Sequence, residues 1–405
     1  MTPFLNARVV LGVTGGIAAY KAADLASTLV QAGCSVDVVL TDGGAQFIQP
    51  MTFSAVTKRP VHSTLFSPWT ADWQGHVSLA EEADLLIVAP ASANALAGLA
   101  LGLASDLLGT IALSTTAPVL LAPAMEERMF HHPATQAHLN TLRDRGAIVI
   151  GPEHGRLASG AHGTGRLAAV ETIVGTARLM LGRNGPLAGR TIVVTAGGTH
   201  EPIDPVRYVG NRSSGAMGYA LAQAGLDAGA TVTLITGPSN LLPPVGSRVI
   251  AVTTAQEMWA AVNDAVGTAQ ALVMAAAVAD FRPEHVSTKK LKKVGSEGGL
   301  TLSLVRNPDI LASVDRSTLV KVGFAAETDD LEANATGKLR AKGLAMIVAN
   351  DATATIGAET STASIVRPDA PIERLATMSK QLLAGEIIDR LGTIFRQRDD
   401  ASPHR

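Results

Sequence analysis

One short phrase occurs twice in this chain. An apolar run ends in Val13-Thr14-Gly15-Gly16, and far downstream another ends in Val194-Thr195-Ala196-Gly197-Gly198. Each reads as a buried strand, a glycine turn and the start of a helix, which is the opening of a strand–helix–strand unit. After the first strand, Val9–Thr14, apolar spacing at Ile17, Tyr20, Leu25, Leu29 and Val30 predicts a helix over Ile17–Ala32, stopped by Gly33. The β-branched run Ser35–Leu40 is the next strand, followed by Leu85–Val88, Ala117–Leu121 and Ala147–Ile150. After the second phrase come the helix Ala216–Ala228 and the strands Thr231–Ile235, Leu272–Ala276, Val320–Phe324 and Ala345–Val348, with Thr191–Val194 opening the set. Strands alternating with helices imply parallel sheets covered on both faces. The expected fold is therefore α/β, two doubly wound Rossmann-like domains in series. The polar Gly- and Pro-containing segment 181–190 (LGRNGPLAGR) is the expected linker between domains at 1–180 and 191–405. In such sheets ligands bind beyond the C-terminal strand ends, where the winding reverses.

Composition narrows the function classes. The chain has 405 residues, 47% hydrophobic and 17% charged, so it buries a core rather than staying disordered. Lys+Arg 33 against Asp+Glu 35 leaves a net charge of −2, which gives no global grip on nucleic acid or an anionic membrane. The basic run of Lys289, Lys290, Lys292 and Lys293 lacks interleaved aromatics and reads as something other than a nucleic-acid patch. One cysteine excludes a disulfide framework and a cysteine-rich zinc site, and Cys34 in QAGCSV reads as an inert packing residue. His131, His132 and His138 carry no HExxH pattern, and Pro133 makes them a solvated helix start. The apolar stretch Asn94–Met125 is broken by Asp106 and Pro118, so it reads as helix, turn and strand and not as a membrane span. The opening MTPFLNARVVLGV lacks a basic n-region and cleavage site, so the expected location is the cytoplasm. The polar tail 396–405 is expected to be loose.

Gly15-Gly16 lets backbone N–H groups approach a phosphate, but it is not GxGxxG. Asp42, just past the second strand, suits a ribose hydroxyl and keeps a nicotinamide dinucleotide as a rival ligand. VTGGIAAYK (13–21), GHVSLAEEAD (75–84), PASANALAG (90–98), PAMEERM (123–129) and GRLASGAHGTGRL (155–167) occur in order. Together they resemble the flavin-containing phosphopantothenoylcysteine decarboxylase family across most of residues 7–180. The resemblance implies a flavodoxin-like domain holding FMN. Its phosphate would lie near Thr14, Gly15, Gly16, Thr41 and Ser92, with Ala93, Asn94, Ser105, Asp106 and Met125 completing the cofactor site. It also implies decarboxylation of a C-terminal cysteine, where oxidation of the thiol by flavin creates the electron sink that lets carbon dioxide leave. Reduced flavin then returns hydride while an acid supplies a proton. His76 matches the family's essential histidine, a base near the thiol. Two positions depart from the family. Glu126 stands where an asparagine would bind the substrate carboxylate. An ionised Glu126 would repel that group by about 1–4 kcal/mol at ~4 Å, so it is protonated, turned away or part of a different recognition. Ser159 stands where a cysteine would donate the final proton. A hydroxyl is a weaker acid, so Ser159 relays a proton from water or from His162, or an ene-thiol intermediate accumulates. A flavin-binding structural or regulatory domain with weak or no turnover remains the alternative.

The second half offers VTAGGTHEPIDPVRYVGNRSSGAMGY (194–219), a glycine turn, a long polar loop and Ser213-Ser214-Gly215 before a helix. AAVADF (276–281), KKLKK (289–293), NPDI (307–310), GFAAET (323–328) and KLRAK (338–342) follow. This order resembles the phosphopantothenate–cysteine ligase family over about residues 188–365, and the two families in this order resemble the fused bifunctional proteins of coenzyme A biosynthesis. The resemblance implies that 4′-phosphopantothenate is activated by CTP as an acyl-cytidylate. The amine of L-cysteine then attacks and CMP leaves, with lysines and Mg²⁺ steadying the triphosphate. Asn211 would hold the acyl-cytidylate, and Lys290 would ride a flap that closes over it. Asp280 would bind CTP directly or through its cation. Asn307, Pro308, Asp309, Ile310 and Phe324 would line the nucleotide, and Lys338 and Lys342, four apart, would face its phosphates. The family's lysine after Ser-Ser-Gly is Ala216 here, with Arg207 and Arg212 near enough to compensate. The implied assembly is a homo-oligomer built on trimers, often a dodecamer, with the flavin site shared between neighbouring subunits.

Overall fold

The structure is a computed structural model that describes residues 2–66, 75–292, 300–327, 331–351, 358, 360–368 and 370–401. Lys293, Thr328 and the last four residues of the tail lie outside the described residues. The chain divides into two compact units, 2–181 and 182–405.

In the first unit the strands are β1 (Arg8–Val13), β2 (Ser35–Leu40), β3 (Val61–His62), β4 (Leu85–Ala91), β5 (Val119–Pro123) and β6 (Ile148–Val149). They form one parallel sheet in the order β3-β2-β1-β4-β5-β6. The helices between them are α1 (Ala19–Gln31), α2 (Asp42–Ala45), α3 (Pro50–Thr57), α4 (His76–Glu81), α5 (Ala93–Leu101), α6 (Leu107–Ser114), α7 (Glu127–Phe130) and α8 (Pro133–Asp144). A hairpin of β7 (Glu153–Arg156) and β8 (His162–Arg166) and the helix α9 (Val170–Gly182) close the unit. Both sheet faces are buried. Val9, Leu11 and Val13 of β1 join one apolar cluster with Leu25 and Leu29, while Val10 joins another with Leu86, Leu96 and Ile111. That two-sided burial is why the strands read as continuous apolar runs.

The first helix departs from its apolar spacing. It starts at Ala19 and packs through Ala19, Ala22, Leu25, Ala26 and Leu29. Ile17 and Tyr20 are 60% and 61% exposed. Alanines bring the helix close to the sheet, and the two larger side chains are left for another surface. His132 caps α8 by accepting from the Ala134 N–H at 3.2 Å, with Pro133 in the first turn.

The second unit repeats the winding. Its strands are β9 (Thr191–Ala196), β10 (His200–Pro202), β11 (Tyr208–Gly210), β12 (Thr231–Thr236), β13 (Arg248–Ala251), β14 (Ala271–Met274), β15 (Phe281–Pro283), β16 (Leu304–Arg306), β17 (Val320–Glu327) and β18 (Met346–Asp351). Four short strands follow, β19 (Thr360–Ser361), β20 (Ala363–Val366), β21 (Glu373–Arg374) and β22 (Met378–Ser379). The helices are α10 (Ala216–Asp227), α11 (Ala255–Ala265), α12 (Ile310–Ser313), α13 (Leu331–Ala341) and α14 (Lys380–Asp400). The main sheet runs β13-β12-β9-β14-β17-β18-β20-β21, parallel except for its last two strands. In both units the chain winds outward from the first strand, then returns to the first strand's other side. The switch points are therefore β1/β4 and β9/β14. The tail is not loose where it is described: α14 continues through Arg396 to Asp400. Arg190 pairs with Asp399, and Arg398 donates to the Thr318 carbonyl.

Two buried polar groups of the first unit stand out. Cys34 is buried, and burial, with the nearby charge of Asp84, pushes its thiol up to about 12. Asp37, buried in β2, accepts from Arg59 Nε and Nη2 at 2.7 and 3.0 Å, with His62 at 3.9 Å. Burial alone would raise its pKa; His62 and Arg59 more than reverse that and hold the carboxyl below its ordinary value. Asp37→Ala should cost about 1–3 kcal/mol in denaturant unfolding at pH 7, since it removes the charged acceptor of the partly exposed Arg59 guanidinium. A depressed carboxyl stabilises above its unfolded value and loses that contribution as pH falls. The gap between variant and wild type should therefore shrink below about pH 4.

Candidate functional site

At the first switch point, Thr14 ties two strand ends together. Its buried hydroxyl donates to the Pro90 carbonyl at 2.7 Å and accepts from the Ser92 N–H at 2.9 Å. Gly15 follows in close contact with the next loop, where a Cβ would lie 3.0 Å from the backbone of Gly43. Beside it, a Cβ on Gly16 would meet nothing within 4 Å. Gly16 thus leaves backbone facing open space just before α1. That space is a cavity of about 600 Å³. Gly15, Gly16, Ser92, Ala93, Met125, Glu126 and Ser159 line it, as do the displaced Ile17 and Tyr20.

Other expected cofactor residues serve as helix caps. The Thr41 hydroxyl accepts from Gly44 N–H and caps α2, while donating to the Val13 carbonyl. Ser92 caps α5 and Asp106 caps α6 through the Gly109 N–H at 2.8 Å. Thr14, Thr41, Asn94, Ser105 and Asp106 are not among the lining residues of the cavity, and neither is His76 at the start of α4.

The β7–β8 hairpin covers the cavity. Its tip turns at Gly160 (φ +85°), next to Ser159, which lines the cavity. Its base rests on the 125–127 segment through Met125 N–H to the Gly165 carbonyl (3.0 Å) and Thr164 N–H to Glu127 Oε1 (3.0 Å). Gly165 has no room for a side chain, since a Cβ there would lie 2.1 Å from the Met125 carbonyl oxygen, while a Cβ on Gly163 would displace the Glu127 carboxylate. Glu126 accepts from the Arg128 N–H at 2.7 Å, so its carboxylate is turned onto the start of α7. His162 is exposed and absent from the lining.

Three cations enter the site without having been read from sequence. Lys21, Arg156 and Arg166 all line the cavity. Burial and then the charge of Arg166 lower the Lys21 pKa. The visible signal was the pair of Gly-Arg-Leu triplets flanking the hairpin, Gly155-Arg156-Leu157 and Gly165-Arg166-Leu167.

At the second switch point, Thr195 repeats the strap. Its buried hydroxyl accepts from the Ala276 N–H at 3.1 Å. Beyond it, Asn211 donates to the carbonyls of Ala277 and Val278 at 3.3 and 3.1 Å. Asn307 donates to the Ala279 carbonyl at 2.8 Å and accepts from Arg282. The Asp280 carbonyl accepts from the Asn307 N–H at 2.8 Å. Asn211, Asp280 and Asn307 are thus gathered around residues 277–280, and Pro308 follows half-buried. Phe324 lies half-buried in β17. Ile310 is buried in the apolar core of the second unit. Lys342 lies 2.7 Å from Asp309, so these two expected nucleotide ligands hold each other. Burial would raise Asp309, but Lys342 and the Ala312 N–H reverse this and lower it. Lys290 and Lys338 are exposed. Arg207 is engaged with Asp204 and is not a free phosphate ligand.

Residues 3–181 match the Flavoprotein family, and residues 187–394 match the DNA/pantothenate metabolism flavoprotein C-terminal domain family. Three curated relatives carry both halves, each a coenzyme A biosynthesis bifunctional protein CoaBC. The Vibrio parahaemolyticus protein is 41% identical over 96% of this chain and 99% of its own length. The Bacillus subtilis protein is 42% identical over 98% and 99%, and the Mycobacterium tuberculosis protein 44% over 96% and 97%. The chain belongs to the CoaBC family. The family's two catalytic halves thus coincide with two sheets of one winding, each with a threonine strap at its switch point. Thr14→Val keeps the shape of the first strap but leaves the Pro90 carbonyl and Ser92 N–H without their partner. It should cost about 2–3 kcal/mol in unfolding and weaken retention of added flavin, measured by denaturation and by absorbance after gel filtration.

Proposed function

We propose that the first cavity binds FMN and decarboxylates 4′-phosphopantothenoylcysteine, and that the 277–310 region of the second unit joins 4′-phosphopantothenate to L-cysteine with CTP. The chain is then a bifunctional enzyme of coenzyme A biosynthesis, yielding 4′-phosphopantetheine. The observation that carries the first half is the cavity itself. Its apolar walls, including Ile17, Ala93, Met125 and Leu157, suit a planar ring, and the glycine backbone at the head of α1 suits a phosphate. FMN bound there supplies the two-electron oxidation that makes the substrate's thiol carbon an electron sink. The chain's own residues orient the substrate. Lys21, Arg156 and Arg166 offset the charge of Glu126 and attract an anionic substrate, and the hairpin excludes water. Ser159 relays the final proton from water, since His162 is outside the cavity lining. His76 acts on the site of a neighbouring subunit in a trimer-based homo-oligomer. Exposed Leu101, Leu103, Leu113 and Met129 support such an assembly.

In the second half, Asn211 holds the acyl-cytidylate and Lys290 covers it. Asp280 takes a Mg²⁺ that arrives with the triphosphate. A single exposed carboxylate suits a cation held mainly by phosphates. Among the described residues there is no cluster of three or more His, Cys, Asp or Glu for a resident metal. The nucleotide's phosphates separate Lys342 from Asp309 and recruit Lys338.

One incubation with 4′-phosphopantothenate, L-cysteine, CTP and Mg²⁺, followed by mass analysis, tests both halves. The expected products are pyrophosphate, CMP, carbon dioxide and 4′-phosphopantetheine. A protein that stays colourless after flavin supplementation and releases no pyrophosphate overturns the reading. Ser159 and Glu126 favour a second reading, in which the ligase works over a slow or silent decarboxylase. That reading predicts accumulation of the carboxylated amide. Ser159→Cys should speed release of the reduced thiol by about tenfold or more in single turnover, because a thiol is the better acid.

A further inference from the structure

The residues that follow β10 form a tight corner around one carboxylate. Asp204 has a fully buried side chain. Its Oδ1 accepts from the backbone N–H groups of Val206 and Arg207, both at 2.9 Å. Its Oδ2 accepts from Arg207 Nε at 3.1 Å and Nη2 at 2.5 Å, and from the Leu291 N–H at 3.1 Å. The same Arg207 Nη2 donates to the Leu291 carbonyl at 2.9 Å. Four residues earlier, the Ser287 N–H donates to the Ile203 carbonyl at 3.0 Å. Residues 287–291 are therefore fastened at both ends, and both backbone polar groups of Leu291 are taken. Its flanking lysines, Lys290 and Lys292, are exposed.

We infer that Asp204 and Arg207 are positioning residues for ligation, a two-part latch that grips the Leu291 backbone and so fixes where Lys290 presents its ammonium. Lys290 itself touches neither of them through a side-chain bond, so the latch acts through the neighbouring peptide group. Five N–H donors converge on Asp204, and only a carboxylate has acceptor capacity on both oxygens for them. These donors, the Arg207 guanidinium first, hold Asp204 far below the ordinary carboxylate range. The inference rests on the reading that Lys290 acts in the CTP half-reaction. It adds that the lysine's place is set by residues over eighty positions earlier in the chain.

Asp204→Asn is the direct test. Its remaining oxygen still accepts from the Val206 and Arg207 N–H groups. Its amide opposes the Leu291 N–H and the guanidinium with a donor. In the full-length chain, limited trypsin digestion should then cut at Lys290 and Lys292 at least about tenfold faster than in wild type. The kcat for pyrophosphate release should fall about tenfold to a hundredfold with little change in the KM for CTP. Decarboxylation of supplied 4′-phosphopantothenoylcysteine should be unchanged. Arg207→Gln, which drops the grip on the Leu291 carbonyl, should show the same pattern if Asp204→Asn fails to fold. In a Lys290→Gln background, Asp204→Asn should slow ligation little further, because the two act as one unit. Unchanged cleavage at Lys290 and Lys292, or equal slowing with and without Lys290, overturns the latch. Faster cleavage together with normal ligation by Lys290→Gln keeps the latch but overturns the role given to the lysine.

Discussion

A hydroxyl at the end of each first strand holds the two switch points in shape. Thr14 and Thr195 occupy the same place in the repeated Val-Thr phrase, and each accepts a backbone N–H from the chain leaving the strand across the reversal, Ser92 in one unit and Ala276 in the other. A parallel sheet splits open where its winding reverses, and the gap exposes backbone groups that the ladder no longer pairs. A short, β-branched, buried hydroxyl satisfies one of them without filling the gap. In the first unit the space beside it is a cavity of about 600 Å³.

What stands at the switch point differs between the units. In the first, Gly16 leaves empty space and the lining is largely apolar, with three cations among it. In the second, side-chain amides and backbone carbonyls interlock around residues 277–280, and the cations lie on later segments. One winding thus carries two chemistries, because the loops after the strands differ and the strands do not.

Much of this was legible in the chain. The central strands could be read because two-sided burial writes them as apolar, β-branched runs, whereas the short edge strands β3, β13, β20 and β21 carry no such run and were not read. Ile17 and Tyr20 misled because apolar side chains also line binding cavities, and theirs line the cavity rather than pack on the sheet. The last helix was not read from the sequence, and its charged end, beyond the apolar stripe of Leu383, Ile387, Leu391 and Phe395, was expected to be a loose tail. Glu126 could not be resolved between its options, because its partner is an N–H exposed only once α7 forms. The grip of Asp204 on Leu291 joins segments far apart in sequence, and no local pattern records it.

The chemistry of this enzyme concerns thiols, since cysteine enters and a free thiol leaves. Its single sulfhydryl is shut inside the first unit and held protonated, and a hydroxyl stands at the hairpin tip. The folded described surface therefore offers no sulfur for mixed disulfides with the cysteine it consumes or the product it releases. Oxidising surroundings that cap the small molecules would leave the folded catalyst itself uncapped.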